Sequence, residues 1–240
     1  MLRFSQNLPE RIHALRTRMA AAAAGAGRSV DSVTLLAVSK GQPAELIRAA
    51  AAAGLTDIGE SYVEEALAKI DALADLPLTW HFIGRLQANK TRHVAERFAW
   101  VHGIDRLKIA ERLAAQRPYH APALNVCIQV NLAGEATKGG VPPAELPGLA
   151  TAVAALPRLA FRGLMCIPPE EDDPRRQREW FARLRTLADS LSSGGLRLDT
   201  LSMGMSGDFE AAIQEGATIV RIGTAIFGPR SGTAARTIGE

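Results

Sequence analysis

A chain of 240 residues with 47% hydrophobic content can bury a substantial core, enough for one α/β barrel or two small domains. Its net charge of +3 comes from arginines spread among Asp and Glu along helices, without a basic block interleaved with aromatics, so nucleic-acid binding gains no support. No segment has the uncharged apolar length of a membrane span or signal peptide, and Cys127 and Cys166 lie in apolar strand-like runs; this predicts a cytoplasmic protein with buried thiols, no disulfide framework and no metal site.

Residues 6–24 read as a leading helix closed by Gly25 and Gly27. Strands are then expected at 33–39, 55–58, 79–84, 99–104, 124–131, 159–166, 198–203 and 218–222. Between them lie helical patterns at 43–53, 61–74, 88–98, 106–116, 143–155, 174–191 and 207–215, with start signals at Asp105, Pro143 and Ser206. Strands alternating with helices imply a parallel sheet, because parallel neighbours need a crossover. Eight such units, without a linker, predict an α/β fold: a (β/α)8 TIM barrel with an extra N-terminal helix, a single domain spanning residues 1–240. A doubly wound open sheet is the competing fold and would need two edge strands.

In a barrel the chemistry belongs at the C-terminal ends of the strands. The first strand ends on Lys40 and is broken at once by Gly41, Gln42 and Pro43. An ammonium partly removed from water has its neutral form favoured, and the neutral amine is what attacks a carbonyl to form a Schiff base. The plainer alternative is a solvated lysine at a strand end. Lysine is scarce here, however: Lys40, Lys69, Lys90, Lys108 and Lys138 are the only ones among 28 basic residues. Lys69 and Lys108 fall in amphipathic helical patterns, Lys90 near a helix start and Lys138 in a Gly-rich loop, which leaves Lys40 alone on an apolar strand.

The last two strand ends suggest a phosphate site. The seventh loop, Ser202-Met203-Gly204-Met205-Ser206-Gly207-Asp208, offers a Gly-rich turn with Ser206 as expected N-cap; the eighth strand runs through Arg221 into Gly223 and Thr224 at a helical start. A cofactor with an aldehyde for the lysine and a phosphate for these loops is pyridoxal 5′-phosphate. An arginine such as Arg221 at its pyridine nitrogen would leave that nitrogen unprotonated and weaken the electron sink; a salt bridge at a strand end is the alternative.

Leu35 to Lys40, Gly59-Glu60-Ser61-Tyr62-Val63, Trp80-His81-Phe82-Ile83-Gly84 with Leu86-Gln87-Ala88-Asn89-Lys90, Ser202 to Asp208 and Val220 to Gly228 together resemble the YggS/PROSC family of pyridoxal phosphate homeostasis proteins. The resemblance covers nearly the whole chain. It implies a barrel like the N-terminal domain of bacterial alanine racemases, with the cofactor on Lys40, its phosphate held by Ser206 and the amides of Gly223 and Thr224, and Arg221 facing the pyridine nitrogen. The chain departs from the family pattern at Gly41-Gln42, where Thr-Lys is usual, at Ser61, where Asn is usual, and at Arg85, where Pro is common.

The expected function is intracellular cofactor homeostasis, by buffering or by delivery to pyridoxal phosphate-dependent apoenzymes, without substantial catalysis and with no catalytic residue assigned. A racemase-like enzyme is the alternative, and a Schiff-base aldolase, with Glu60 or Asp105 as carboxylate, a weaker third. Racemisation needs an acid/base on each face of the substrate, and Lys40 serves one. Tyr62 and Tyr119 are the only tyrosines; His81 and His102 fit core residues or cofactor contacts better than bases. The chain stops soon after the eighth unit, without the additional β-domain that builds the racemase dimer, which predicts a monomer. Lys138 reads as a solvated loop residue rather than a second attachment point.

Overall fold

A computed structural model describes residues 7–135 and 138–229. The expected single domain over 1–240 therefore includes termini outside the described residues. The helix α1 (Leu8–Gly25) carries Leu8, Ile12, Leu15, Met19, Ala22 and Ala23 on one buried stripe, the three- and four-residue spacing that aligns side chains along a helix. It packs on the last helices of the chain, where Arg11 Nη1 donates to Ile226 O at 3.1 Å and Arg28 Nη1 to Ile213 O at 2.8 Å.

Eight parallel strands follow: β1 (Thr34–Val38), β2 (Asp57–Glu60), β3 (Thr79–Phe82), β4 (Trp100–Ile104), β5 (Leu124–Val130), β6 (Leu159–Cys166), β7 (Thr200–Ser202) and β8 (Ile219–Ile222). They close in sequence order, and the seam from Thr34↔Ile219 to Ala37↔Ile222 joins β1 to β8. That seam removes the open-sheet alternative, since no edge is left to cover. The crossovers are α2 (Ala44–Ala52), α3 (Val63–Ala72), α4 (Thr91–Arg97), α5 (Leu107–Gln116), α6 (Leu146–Ala154), α7 (Pro174–Ser193) and α8 (Phe209–Gln214), with a short α9 (Thr224–Phe227) after β8.

Boundaries differ from the sequence expectation where caps intervene. The second strand, expected at 55–58, starts at Asp57 because Leu55 belongs to the end of α2: its amide donates to Ala50 O at 3.0 Å and its side chain is buried. Gly59 and Glu60 are consequently strand residues. The helices expected at 88–98 and 143–155 each open with a 3-10 turn, Ala88–Lys90 and Pro143–Glu145. Asp105 caps nothing; Arg106 occupies the N-cap of α5, and Asp105 instead pairs with Arg106 and Arg85.

Candidate functional site

The C-terminal ends of β7, β8 and β1 lie side by side, and the residues singled out in the sequence gather there. The ladder continues past β1, with Ser39 N donating to Gly59 O at 3.0 Å. Alternation then turns Leu36 and Val38 toward the lumen and Ala37 and Ser39 toward the helices, with Lys40 next in the chain at the top of the strand. The packing agrees: a Cβ on Gly59 would lie 3.3 Å from Leu36 Cγ, so Leu36 shares the lumen with Gly59. Gly41, at φ 71°, turns the chain away directly after Lys40.

The neighbouring strand end closes in by means of a glycine. A Cβ on Gly223 would lie 3.2 Å from Val38 O, so the bare backbone brings the top of β8 against β1 two residues before Lys40. Thr224 opens α9, and the first amides of a helix have no acceptor within it. Arg221 N donates to Gly204 O at 2.9 Å, which docks the loop after β7 on β8. In that loop Ser206 is not the helix cap. Asp208 takes the N-cap place, its Oδ1 accepting from Met205 N at 2.5 Å while Phe209 N donates to Met205 O at 2.9 Å, so residues 205–208 form their own turn and α8 starts later than expected. Ser206 remains within this turn, beside the strand that carries Arg221.

Below these loops a chain of hydrogen bonds runs through the lumen. Arg221 Nη1 donates to Ser202 O at 2.6 Å and to Ser202 Oγ at 2.9 Å, and Nη2 to Cys166 O at 2.8 Å. Ser202 Oγ meets His102 Nδ1 at 2.7 Å, His102 Nε2 meets His81 Nδ1 at 3.0 Å, and His81 Nε2 meets Asp57 Oδ1 at 3.1 Å. A guanidinium can only donate and a carboxylate only accept, so the direction of the chain is fixed from Arg221 to Asp57, with both imidazoles neutral and protonated on Nε2. Burial lowers His81 and lowers His102 further still, the latter helped by His81 and Arg221 nearby. Burial pushes Asp57 up, but its hydrogen bonds to His81 and Thr56 outweigh this and hold it below the usual carboxylate value. Arg221 is also pressed downward by burial, yet a guanidinium keeps its charge. Its anchors fix the head group, leaving two of its five N–H groups unused among the described residues.

A second cluster was not anticipated. Lys69, placed by the sequence on an amphipathic helix, is buried: it lies three residues after Ala66 on the inward stripe of α3, a spacing that could have exposed it. Its Nζ reaches Ser39 O at 2.7 Å, Glu60 Oε1 at 2.7 Å and Glu65 Oε1 at 2.5 Å. Ser39 Oγ donates to Glu60 Oε1 at 2.5 Å and Gly41 N to Glu65 Oε1 at 2.6 Å. Burial raises Glu60, with Lys69 and Ser39 opposing.

The remaining candidates are dispersed. Lys90 pairs with Glu64, and Lys138 Nζ donates to Pro168 O at 2.9 Å and forms an ion pair with Glu135 Oε1 at the same separation. Tyr62 is 57% exposed at the N-cap of α3, and Tyr119, 92% exposed, lies before β5 on the opposite face of the barrel. Both thiols are buried and free, with pKa values pushed up to about 12 by desolvation. Among the described residues no group of three His, Cys, Asp or Glu could hold a metal ion, and no helix is long and apolar enough to cross a membrane.

The family described as the alanine racemase N-terminal domain matches residues 11–231. A pyridoxal phosphate homeostasis protein of Pseudomonas aeruginosa is 58% identical over 223 residues, covering 93% of this chain and 96% of that one. Its namesake in Escherichia coli K12 is 52% identical over 219 residues, covering 90% and 94%. PipY of Synechococcus elongatus, solved with pyridoxal phosphate bound, superposes with a TM-score of 0.82 at 40% identity, covering 92% of this chain and 100% of that one. Alanine racemase from Corynebacterium glutamicum shares the fold, with a TM-score of 0.69 at 19% identity over 90% of this chain and 61% of that one. With the barrel, the lysine at the end of β1 and the paired loops of β7 and β8 in place, the chain belongs to the pyridoxal phosphate homeostasis protein family, built on the alanine racemase N-terminal domain.

Proposed function

We propose that this chain binds pyridoxal 5′-phosphate covalently through Lys40 and takes part in its intracellular homeostasis, buffering it or passing it to dependent apoenzymes, without substantial catalysis of its own. The observation that carries this is the convergence on one sector of the C-terminal face of Lys40, Arg221 and the loops holding Ser206, Gly223 and Thr224. The residues fit the group. The close approach at Gly223 leaves backbone free of side chain beside Lys40, Thr224 opens a helix whose first amides suit a phosphate, and Ser206 adds a hydroxyl on the adjoining turn. When bound, the cofactor supplies an aldehyde for an amine and an electron-withdrawing ring.

Arg221 is the group proposed for the ring nitrogen. It can only donate, so that nitrogen stays unprotonated and the ring withdraws electrons weakly, which suits holding over turnover. The racemase alternative needs a second acid/base, and His81 and His102 are neutral links in a closed hydrogen-bond chain while both tyrosines point to solvent. Relatives named as homeostasis proteins support the same reading. The protein is proposed to act in the cytoplasm as a monomer.

The test is a visible spectrum of the protein with pyridoxal phosphate, followed by borohydride reduction, peptide mapping and an amino-acid turnover assay. Reduction should fix the label on Lys40, Lys40→Ala should weaken retention at least tenfold, and racemisation should stay at background. A label mapping elsewhere in the wild type overturns the site; steady turnover of an amino acid overturns the carrier role.

A further inference from the structure

We propose that Lys69, with Glu60 and Glu65, is a positioning residue for Lys40, acting from outside the barrel wall through the backbone on either side of it. This rests on the reading of Lys40 as the attachment residue. The two chain neighbours of Lys40 are both tied to the cluster: Ser39 through its carbonyl to Lys69 and its hydroxyl to Glu60, and Gly41 through its amide to Glu65. Lys69 joins the two carboxylates, so the Ser39 and Gly41 anchors form one unit. Ser39 faces the helix side of the wall, where the cluster lies, so the cluster sets the root of Lys40 without occupying the lumen.

The chemistry at position 69 is specific. An ammonium has three N–H donors on one point, and three acceptors surround Nζ, Ser39 O at 2.7 Å, Glu60 Oε1 at 2.7 Å and Glu65 Oε1 at 2.5 Å. A guanidinium spreads its donors over a planar fork and is larger, so it cannot converge on those oxygens in a space where Lys69 is 8% exposed and Glu60 fully buried. The cluster is built into the core: Glu60 Oε2 has no hydrogen-bond partner among the described residues, and the carboxylate is held by Oε1 alone. Lys40 directly precedes the turn at Gly41, φ 71°, which has freedom to wander unless its amide is tied.

The experiment uses the full chain with Lys69→Met, Lys69→Arg and Glu65→Ala, the last removing one anchor at a 29% exposed side chain so that folding is spared. Two readouts are taken: hydrogen exchange of the Gly41 amide in cofactor-free protein, and the dissociation rate of pyridoxal phosphate with the pH midpoint of its visible band. Both Lys69 variants should exchange Gly41 and release the cofactor at least tenfold faster and shift the midpoint, with Glu65→Ala changing in the same direction by less while its β5 amides, which report global unfolding, keep wild-type rates. Rescue by Lys69→Arg, or Glu65→Ala with unchanged Gly41 exchange and release, overturns the proposal. Gly41 exchange reports on the anchor even if borohydride mapping were to remove Lys40 from the cofactor site, which separates the two failures.

Discussion

Two buried polar networks reach the C-terminal face from opposite sides of the barrel wall, and they hold their cations in opposite ways. In the lumen, Arg221 is gripped by its own head group, three hydrogen bonds fixing the guanidinium to Ser202 and Cys166. Outside, the cluster around Lys69 holds Lys40 by the backbone of Ser39 and Gly41. A group whose task is a fixed electrostatic field benefits from an immobile head; a group that must form and break a bond benefits from a fixed root. The networks also differ in charge. Neutral imidazoles link Arg221 to Asp57 across the lumen, whereas the outer cluster packs two carboxylates against one ammonium.

The largest effect is expected where charge is buried. Lys69→Met leaves Glu60 without its counterion in a fully buried place, and at neutral pH urea unfolding should show a loss of about 3–5 kcal/mol. Replacing both residues, Glu60→Leu with Lys69→Met, should recover most of that loss, since no lone charge remains. The acid side checks the cause. Burial raises Glu60 above the usual carboxylate value of 4.5, so its protonated form is favoured in the folded state and the stability it contributes is present below that value and lost as pH rises. The deficit of Lys69→Met should therefore shrink toward pH 4.5. A deficit that does not change with pH would assign the loss to packing.

The lumen should behave in the opposite sense. Both histidines are lowered from 6.5 by burial, so between the folded and unfolded values the unfolded chain binds more protons and stability rises with pH. The contribution is complete above about pH 6.5 and is lost as pH falls, by at most about 1.4 kcal/mol per pH unit for each histidine. Asp57, held low, adds its own loss only below 3.8. His102→Leu should cost about 1–3 kcal/mol at neutral pH by leaving its partners unpaired, and should reduce the slope between pH 5 and 6.5 by roughly half. Thermal unfolding across that range reads both numbers.

Much of this frame was legible in the sequence. Eight apolar runs with helical spacers announce a barrel, and Lys40, Arg221 and the Gly-rich ends of the last two strands lie where barrel chemistry lies. What was illegible depends on packing across the wall. Lys69 and Glu60 look like ordinary charges on a helix and at a strand end; only closure of β1 on β2, with α3 over them, turns both inward. The shift of β2 by two residues hid Glu60 further, because a helix-end hydrogen bond claimed Leu55. His81 and His102 read from the sequence as core residues or cofactor contacts, and both are buried; that Ser202 joins them to Arg221 and Asp57 ends the chain is a matter of residues far apart in sequence.

The smallest effect is expected at the rim, where the cation of the pair stays in solvent although its carboxylate is largely covered. Arg85 approaches Asp105 at 3.8 Å with its side chain 75% exposed, and Asp105 also has Arg106 at 2.6 Å. Solvent screens such a pair and the long arginine must be ordered to make it, so Arg85→Ala should change unfolding free energy by no more than about 0.5 kcal/mol. Asp105 keeps a partner in that variant, which removes the penalty that makes Lys69→Met severe. Measured beside it under the same conditions, Arg85→Ala sets a solvent-exposed cation whose carboxylate keeps a second partner against a buried cation whose carboxylate is left without one. A loss at Arg85 approaching that at Lys69 would mean that charge count rather than desolvation governs both, and the contrast between rim and wall would fail.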